Sequence, residues 1–214
     1  MRIVPYRVRY RLRCWTSAVA LGSAMRRLSA GGAPDRKLVT HLRYGWNNDS
    51  FAADTDYLMA VAEATRAASG PILECGSGVT TILGALSGKD LWVLDQSEEW
   101  LLKVDHLLRR YGMHANLCHA PLTNYGGFDW YTLPEYFPRQ FALVICDGPP
   151  AATTRGGRYG LLPVLAAGLP GSTVLMDDTD RQDEQLILQR WSKEFPIRVV
   201  VSGPYSIFQV ASDP

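Results

Sequence analysis

The chain has 214 residues, of which 47% are hydrophobic, and a formal net charge of +1. This length supports one well-cored domain and argues against two, because each half would bury too little surface to be stable alone. The small net charge hides an asymmetry. Residues 1–43 carry ten Lys or Arg and one acid, a balance of +9, whereas residues 44–214 carry 12 basic and 20 acidic residues, a balance of −8. We therefore predict a basic N-terminal arm over residues 1–45 and one folded domain over residues 46–214.

The N-terminal arm contains an apolar run from Cys14 to Met25. Its twelve residues fall short of the roughly 20 that a membrane-spanning helix needs. The run ends in Arg26 and Arg27 and not in the small-residue cleavage site of a secretory signal. Four interpretations stay open: a targeting segment, an arm that binds phosphates, a helix on an anionic membrane, or a helix packed on the domain with its arginines in water. Peripheral membrane contact and homo-oligomer formation stay open as well.

The four cysteines show no paired CxxC spacing of the kind that zinc and redox sites use. Three of them lie inside predicted strands. We therefore expect a cytoplasmic protein whose thiols are reduced and buried, and the cysteines concerned are Cys14, Cys75, Cys118 and Cys146.

From residue 71 onward, short β-rich apolar runs alternate with helical patterns, which is typical of βαβ units around a parallel sheet. Strands are predicted over residues 72–75, 91–94, 115–118, 141–146 and 173–176. Helices are predicted over residues 80–86, 98–110, about 159–167 and 183–195. The stretch 121–140 combines Pro and Gly breakers with many aromatic residues, so we predict a functional loop without regular elements.

Two further strands are predicted over residues 197–201 and 205–210. The linker Ser202-Gly203-Pro204 between them is too short for a parallel crossover, so these strands must pair antiparallel or form a reversed edge. The predicted fold is therefore α/β, with a doubly wound, mostly parallel, seven-stranded sheet and a reversed last strand.

The first predicted strand ends in the turn Glu74-Cys75-Gly76-Ser77-Gly78. Ligands of such sheets bind outside the carboxyl ends of the strands, and glycines let a ligand approach the backbone closely. The second strand ends in Asp95, 19 residues after Gly76, which is about the spacing at which a carboxylate binds ribose hydroxyls. The plain alternatives are a tight strand-to-helix turn and an N-cap aspartate.

Dinucleotide binding is the nearest rival interpretation of this turn. The sequence from Gly76 to Thr81 lacks the third glycine of that motif. An acid two residues before the first glycine also suits a cationic ligand better than a pyrophosphate. The turn therefore favours a nucleoside that carries a positive charge.

These features resemble the class I S-adenosylmethionine-dependent methyltransferases. The shared pattern is Glu-x-Gly-x-Gly after strand one, an acid at the end of strand two, Asp147 at the end of strand four and a reversed last strand. The resemblance covers roughly residues 70–210, and its most specific parts are 73–78 and 145–150. It implies S-adenosylmethionine as cofactor and methyl transfer as activity.

The resemblance also implies where the cofactor would bind. The glycine turn would line the methionine part, Asp95 would bind the ribose, and the residues from His119 to Leu122 would flank the adenine, although the acid that usually stands in this last region is missing. The implied cofactor-binding residues are Glu74, Gly76, Ser77, Gly78, Asp95, Gln96, Ala120, Pro121, Leu122 and Asp147.

Carboxylates end the fourth and fifth strands, namely Asp147 and the pair Asp177-Asp178. Carboxylates so close repel one another unless a proton or a cation lies between them. The arrangement resembles the metal-dependent O-methyltransferases, which implies Asp147, Asp177 and Asp178 as ligands of a divalent ion; Mg²⁺ suits such an all-oxygen site. The alternative is that Asp178 and Asp180 cap the next helix while Asp147 orients a loop amide.

Methyl transfer from a sulfonium requires an acceptor held in line with the methyl group and one proton removed or tolerated. A metal would lower the pKa of an acceptor hydroxyl. Without a metal, Asp147 or His119 is the candidate catalytic base. The lysine base of several metal-dependent enzymes has no clear counterpart, because Arg155 and Arg158 follow Asp147 instead.

Arginines and aromatic residues are the candidates for acceptor binding. The arginines could grip a carboxylate, phosphate or sulfate, or could form salt bridges to Asp177 or Asp180. The aromatic side chains could wall a pocket or belong to the core of the loop. The predicted substrate residues are Tyr44, Trp46, Trp130, Tyr131, Arg155 and Arg158.

The leading hypothesis is a methyltransferase acting on a hydroxyl of a small molecule or sugar. A second hypothesis has RNA or another polyanion recruited by the basic arm, which the acidic catalytic half and the lack of a base-stacking motif disfavour. Nucleic acid is therefore not the expected partner. A third hypothesis is a cofactor-binding regulator without turnover, which the acids at the ends of strands one, two and four disfavour.

Overall fold

The computed structural model describes residues 6–48 and 52–211, so residues 1–5 of the predicted arm lie outside the described residues. The helices are α1 Tyr6–Ser29, α2 Arg36–Trp46, α3 Thr55–Ala67, α4 Val79–Ala85, α5 Glu98–Arg110, α6 Leu161–Leu165 and α7 Gln182–Glu194. The strands are β1 Ile72–Cys75, β2 Leu91–Asp95, β3 Asn116–His119, β4 Leu122–Asn124, β5 Asp129–Tyr131, β6 Leu143–Cys146, β7 Thr173–Met176, β8 Ile197–Val201 and β9 Ser206–Val210. Short 3₁₀ turns flank α6, at Gly157–Gly160 and Ala166–Gly168.

The main sheet has seven strands in the order β3-β2-β1-β6-β7-β9-β8. In this order, the strands β3, β2, β1, β6 and β7 are parallel to one another, whereas β9 pairs antiparallel with both β7 and β8. The predicted seven-stranded sheet with a reversed last strand is thereby confirmed. The reversed strand holds an interior position rather than an edge, since β8 lies outside it.

Each face of the sheet has its own hydrophobic core. Ile72, Val93 and Ile145 pack against α1 to α5 on one face, and Leu73 and Val144 pack against the elements around α6 and α7 on the other. Successive side chains of a strand point to opposite faces, so strands buried on both faces show as continuous apolar runs. This explains why the sequence located them within two residues. The four cysteines are free, and those of β1 and β6 are buried.

The stretch 121–140 contains a small antiparallel hairpin of β4 and β5, paired from Leu122–Tyr131 to Asn124–Asp129. The expectation of a loop without regular elements is therefore wrong. Two strands of three residues are too short to show an alternating pattern. The side chain of Trp130 is fully buried and lies over Gly160, where a Cβ would stand 2.7 Å from the indole ring. The hairpin is thus packed onto the domain.

The N-terminal helix α1 packs on α2, with Ala24, Met25 and Leu28 buried in the core that also holds Ile72. Trp15 and Val19 of α1 stay 65% and 50% exposed. For the described part of the arm, the structure therefore agrees with the interpretation of a helix packed on the domain. The division at residues 45 and 46 stays a prediction, and α2 runs across it.

Helix α2 is also tied to α5 through two stacked indoles and a lysine that contacts both of them. The Trp46 and Trp100 rings stack 5.9 Å apart, and Lys103 Nζ lies 4.1 Å from one ring centroid and 4.2 Å from the other. Such cation–π contacts stabilise by about 0.5–1 kcal/mol at exposed sites. Within the described ranges, no helix is long and apolar enough to cross a membrane.

Candidate active site

A large open cavity lies at the carboxyl ends of β1, β2, β6 and β7. Its volume is about 2080 Å³, larger than the roughly 300–1,000 Å³ of a site for one small ligand. The lining includes the turn Gly76 to Gly78, Asp95, and the acids Asp147, Asp177 and Asp178. The cavity therefore has room for two molecules side by side.

The turn after β1 touches the loop after β6. Gly76 has a φ of +90°, a conformation that favours glycine, and a Cβ there would lie 3.0 Å from Gly148 N. The Cys75 carbonyl accepts hydrogen bonds from the amides of Asp147 at 3.0 Å and Gly148 at 2.7 Å. The two strand ends are thus locked together, and the turn presents bare backbone to the cavity.

Asp95 ends β2 directly beside this turn and is 4% exposed. Its Oδ2 accepts from the Ser77 amide at 2.7 Å and from the Ser77 hydroxyl at 2.6 Å, and its Oδ1 accepts from the Ser97 amide at 2.8 Å. A carboxylate has about four acceptor sites in all. Asp95 therefore fixes the turn and keeps capacity for a further donor, such as a ribose hydroxyl.

Glu74 lies behind the turn and outside the cavity lining. It is fully buried, the hydroxyl of Thr80 donates to its Oε1, and its Oε2 has no partner. Burial, opposed by the hydrogen bonds from Thr80 and Thr81, raises the pKa of this carboxyl to about 8. Glu74 is accordingly protonated in large part at neutral pH.

The three acids predicted as metal ligands come together, with ligand oxygens within 4.8 Å of one another. The guanidinium of Arg158 lies among them and is 3% exposed. It donates to Asp147 Oδ1 at 3.2 Å, to Asp178 Oδ2 at 2.8 Å and to Glu184 Oε1 at 3.1 Å. Burial raises the pKa of Asp147 to about 8, with Arg158 lowering it, and raises that of Asp177 to about 6.

This donor set does not fit a divalent ion in the way the sequence implied. Both oxygens of Asp178 accept from arginines, since Arg181 binds Oδ1 at 2.7 Å while Arg158 binds Oδ2. Asp177 Oδ1 accepts from the Asp178 amide at 2.9 Å. A cation at this place would stand against two guanidinium groups.

The region after β3 lies away from the cavity. His119 faces a separate small depression beside α5, where its ring Nε2 lies 3.2 Å from the Gln96 carbonyl oxygen. Ala120, Pro121 and Leu122 are not among the residues that line the large cavity, whereas Gln96 is. Ala120 is fully buried and its amide donates to the Asp95 carbonyl at 2.8 Å. The structure thus brings Gln96, and not His119, to the cavity.

The predicted substrate residues divide into two groups. Trp46, Tyr131 and Arg158 line the cavity. The others have partners elsewhere: the Tyr44 hydroxyl lies 2.7 Å from the Thr16 hydroxyl, Trp130 is buried under the hairpin, and Arg155 is paired with Asp129 at 3.3 Å. Both arginines therefore form salt bridges, as the alternative interpretation proposed. Arg155 pairs with Asp129, and Arg158 pairs with Asp147, Asp178 and Glu184.

Sequence reasoning missed Glu184, which is 1% exposed and completes the network around Arg158. It lies on the buried face of α7 together with Ile187 and Trp191. An acid at helical spacing from buried apolar residues implies a buried partner, and this was the available signal. Arg181, which pairs with Asp178, was missed as well.

Comparisons with known proteins support this architecture. No family model and no curated protein matches the chain. Among solved structures, the SAH-bound Podospora anserina methyltransferase PaMTH1 gives a TM-score of 0.58 at 13% identity, covering 99% of this chain and 100% of that one. The tRNA (m1A58) methyltransferase TrmI from Aquifex aeolicus gives 0.59 at 12% identity, covering 85% and 77%. The O-methyltransferase from Bacillus cereus, in complex with SAH, gives 0.55 at 12% identity, covering 82% and 90%.

At these identities the likeness concerns the fold. The chain has the Rossmann-like fold of the class I S-adenosylmethionine-dependent methyltransferases, as predicted from the sequence. The matched enzymes act on different acceptors, tRNA among them. The same fold is therefore compatible with different substrates.

Proposed function

We propose that this protein binds S-adenosylmethionine and methylates a hydroxyl group of a small molecule or sugar. The observation that carries the proposal is the single cavity that joins the glycine turn and Asp95 to the acids at the ends of β6 and β7. A cofactor lying along the turn would point into the acidic part of the same cavity. The acceptor would bind there.

The residues at the turn suit this cofactor. Gly76 and Gly78 offer backbone without side chains, and Asp95, next to Gln96, can accept from ribose hydroxyls. Among the described residues, the lining includes ten Asp or Glu and four Arg, and a cleft of this sign attracts a cationic ligand. When bound, the cofactor supplies an electrophilic methyl group.

Asp147 is the residue placed to handle the acceptor proton. Its Oδ1 is held by Arg158, its side chain is 23% exposed, and it lines the cavity. A base works best when its pKa is near the working pH, and burial moves the pKa of Asp147 to about 8. We infer that Asp147 accepts the proton of the acceptor hydroxyl, and that His119, outside the cavity, takes no part.

A small acceptor fits the charge of the cavity better than a polyanion. The ten Asp or Glu of the lining would repel phosphates, and they outnumber its four Arg, one of which is Arg43 of the arm. Methyl transfer should therefore change little between about 50 and 200 mM salt, whereas binding through several phosphates would weaken steeply over that range. A steep salt dependence would point to the polyanion hypothesis.

Calorimetry with S-adenosylmethionine and with NAD tests the cofactor. We expect micromolar-range or tighter binding of the former and none of NAD. Asp95→Asn should weaken the binding by about 10- to 100-fold, as expected for a lost hydrogen bond to a charged group. Asp129→Asn is the matched control, because Asp129 lies outside the cavity on the hairpin, and it should leave the affinity unchanged.

Asp147→Asn separates binding from chemistry. It should lower turnover more than it lowers cofactor affinity, because Asp147 acts on the acceptor. A larger loss of affinity in Asp147→Asn than in Asp95→Asn would show that the ribose has been assigned to the wrong acid. Binding of NAD alone would overturn the proposed function altogether.

A further inference from the structure

Arg158 is the most heavily bonded side chain of the cavity. Its Nη1 donates to the Asp177 carbonyl at 2.9 Å and to Glu184 Oε1 at 3.1 Å. Its Nη2 donates to the Asp147 carbonyl at 2.9 Å, to Asp147 Oδ1 at 3.2 Å and to Asp178 Oδ2 at 2.8 Å. One planar group thus joins the ends of β6 and β7 to the first turn of α7.

The guanidinium lies where the acids converge. A cation shared by Asp147 and Asp178 would have to contact an oxygen of Asp178 that already accepts from an arginine, because Arg158 binds its Oδ2 and Arg181 its Oδ1. Arg181 takes the second oxygen of Asp178 at 2.7 Å, and the Asp178 amide takes Asp177 Oδ1. The charges of Arg158 and Arg181 together balance two of the four negative charges that the cluster carries when all its acids are ionised. These acids are Asp147, Asp177, Asp178 and Glu184.

A divalent ion gains little at such a place. Mg²⁺ requires near-ideal octahedral oxygen ligands at about 2.1 Å, and each guanidinium within a few ångströms repels it strongly in a partly buried site. Arg158 performs the two tasks that an ion would perform. It offsets the repulsion of the acids, and it holds two strand ends in register. Its bonds to both the carbonyl and Oδ1 of Asp147 also fix that side chain in one orientation.

We propose that Arg158 is the resident cation of this acidic cluster, that it positions Asp147, and that its presence keeps divalent ions out. The inference concerns the cluster itself. It can be tested without S-adenosylmethionine or an acceptor, so its failure is distinguishable from that of the proposed function.

The experiment is a Mn²⁺ titration of the full chain followed by electron paramagnetic resonance, because Mn²⁺ shares the oxygen preference of Mg²⁺ and its free signal falls when it binds. The wild-type protein should leave the free Mn²⁺ signal unchanged up to about millimolar concentration, a range in which carboxylate metal sites fill. Arg158→Met, which keeps length and removes charge, should bind Mn²⁺ at least about tenfold more tightly than the wild type.

Two variants test whether the positive charge of Arg158 is what prevents Mn²⁺ binding. Arg158→Lys keeps the charge and should stay as inert to Mn²⁺ as the wild type. Arg155→Met removes an arginine of the same segment that pairs with Asp129 outside the cluster, and it should gain no binding. The Mn²⁺ site gained in Arg158→Met should disappear when Asp178→Asn is added.

Two results would overturn the inference. One is stoichiometric Mn²⁺ binding by the wild type that Asp147→Asn or Asp178→Asn abolishes, a measurement that stands even if Arg158→Met does not fold. The other is an Arg158→Met protein with a native circular dichroism spectrum that gains no Mn²⁺ binding.

Discussion

Glu74 shows how a single residue can couple the glycine turn to pH. It is fully buried, and burial raises the pKa of its carboxyl from 4.5 to about 8. Thr80 donates to one oxygen, and the other oxygen has no partner. A protonated Glu74 avoids the cost of a buried charge, so the turn is held by a neutral acid over much of the neutral range.

The pH dependence of stability should report this proton. Between about pH 4.5 and pH 8 the native protein keeps a proton on Glu74 that the unfolded chain has lost, so this residue makes the free energy of unfolding fall as pH rises. Glu74→Gln removes that contribution. Relative to the wild type, the variant should gain on the order of a few kcal/mol from pH 5 to pH 8, as measured by urea unfolding at both values. A difference between the two proteins that does not change with pH would contradict the assignment.

At the scale of elements, the glycine turn depends on its two glycines for different reasons. Gly76 has a positive φ and stands against Gly148, whereas Gly78 has an extended φ of 175° and open space within 4 Å of its Cβ position. Gly78 lines the cavity. The first glycine is therefore required by the fold, whereas the second leaves the cavity open beside the backbone.

Alanine at each position separates these roles. Gly76→Ala should cost about 1–3 kcal/mol of stability, because the backbone is strained and the neighbouring loop must shift. Gly78→Ala should change stability by less than about 0.5 kcal/mol and still weaken S-adenosylmethionine binding, because the new methyl group enters the cavity. Thermal unfolding and calorimetry measure the two effects. Equal losses of stability in Gly76→Ala and Gly78→Ala would show that the backbone conformation of Gly76 is not the cause of the loss.

The elements differ in how far the sequence reveals them. The central strands are buried on both faces, so their apolar runs predict where each strand lies along the chain. The strands of the hairpin are too short to show an alternating pattern. From the sequence, Trp130 was expected to line a pocket, whereas it is buried. The Arg158 network depends on which loops meet above the sheet, and this is decided by long-range pairing of β6, β7 and α7. The sequence offered a salt bridge to Asp177 or Asp180, whereas the fold selects Asp147, Asp178 and Glu184.

At the scale of the whole molecule, the N-terminal helix belongs to the packed structure over its second half. Met25 is fully buried in the core shared with α2, whereas Trp15 of the same helix is 65% exposed. The Trp46–Lys103–Trp100 contact then ties α2 to α5 at the rim of the cavity. The arm is thereby connected to the wall of the ligand site.

Substitutions in α1 test this connection. Met25→Ala should lower the free energy of unfolding by about 2–5 kcal/mol, as for other large-to-small changes in a core. Trp15→Ala, at an exposed position of the same helix, should change it by less than about 0.5 kcal/mol. Urea unfolding measures both. A neutral Met25→Ala would mean that the helix is not part of the cooperative unit.

The interior position of β9 affects how the protein is made. Of the seven strands in the main sheet, it is the last to leave the ribosome, yet it must insert between β7 and β8. Until residue 210 has emerged, β7 presents an open row of backbone donors and acceptors of the kind that recruits other chains. Tyr205, which leads into β9 and lines the cavity, arrives at the same moment. The emergence of β9 therefore closes the sheet and completes the wall of the cavity in one step.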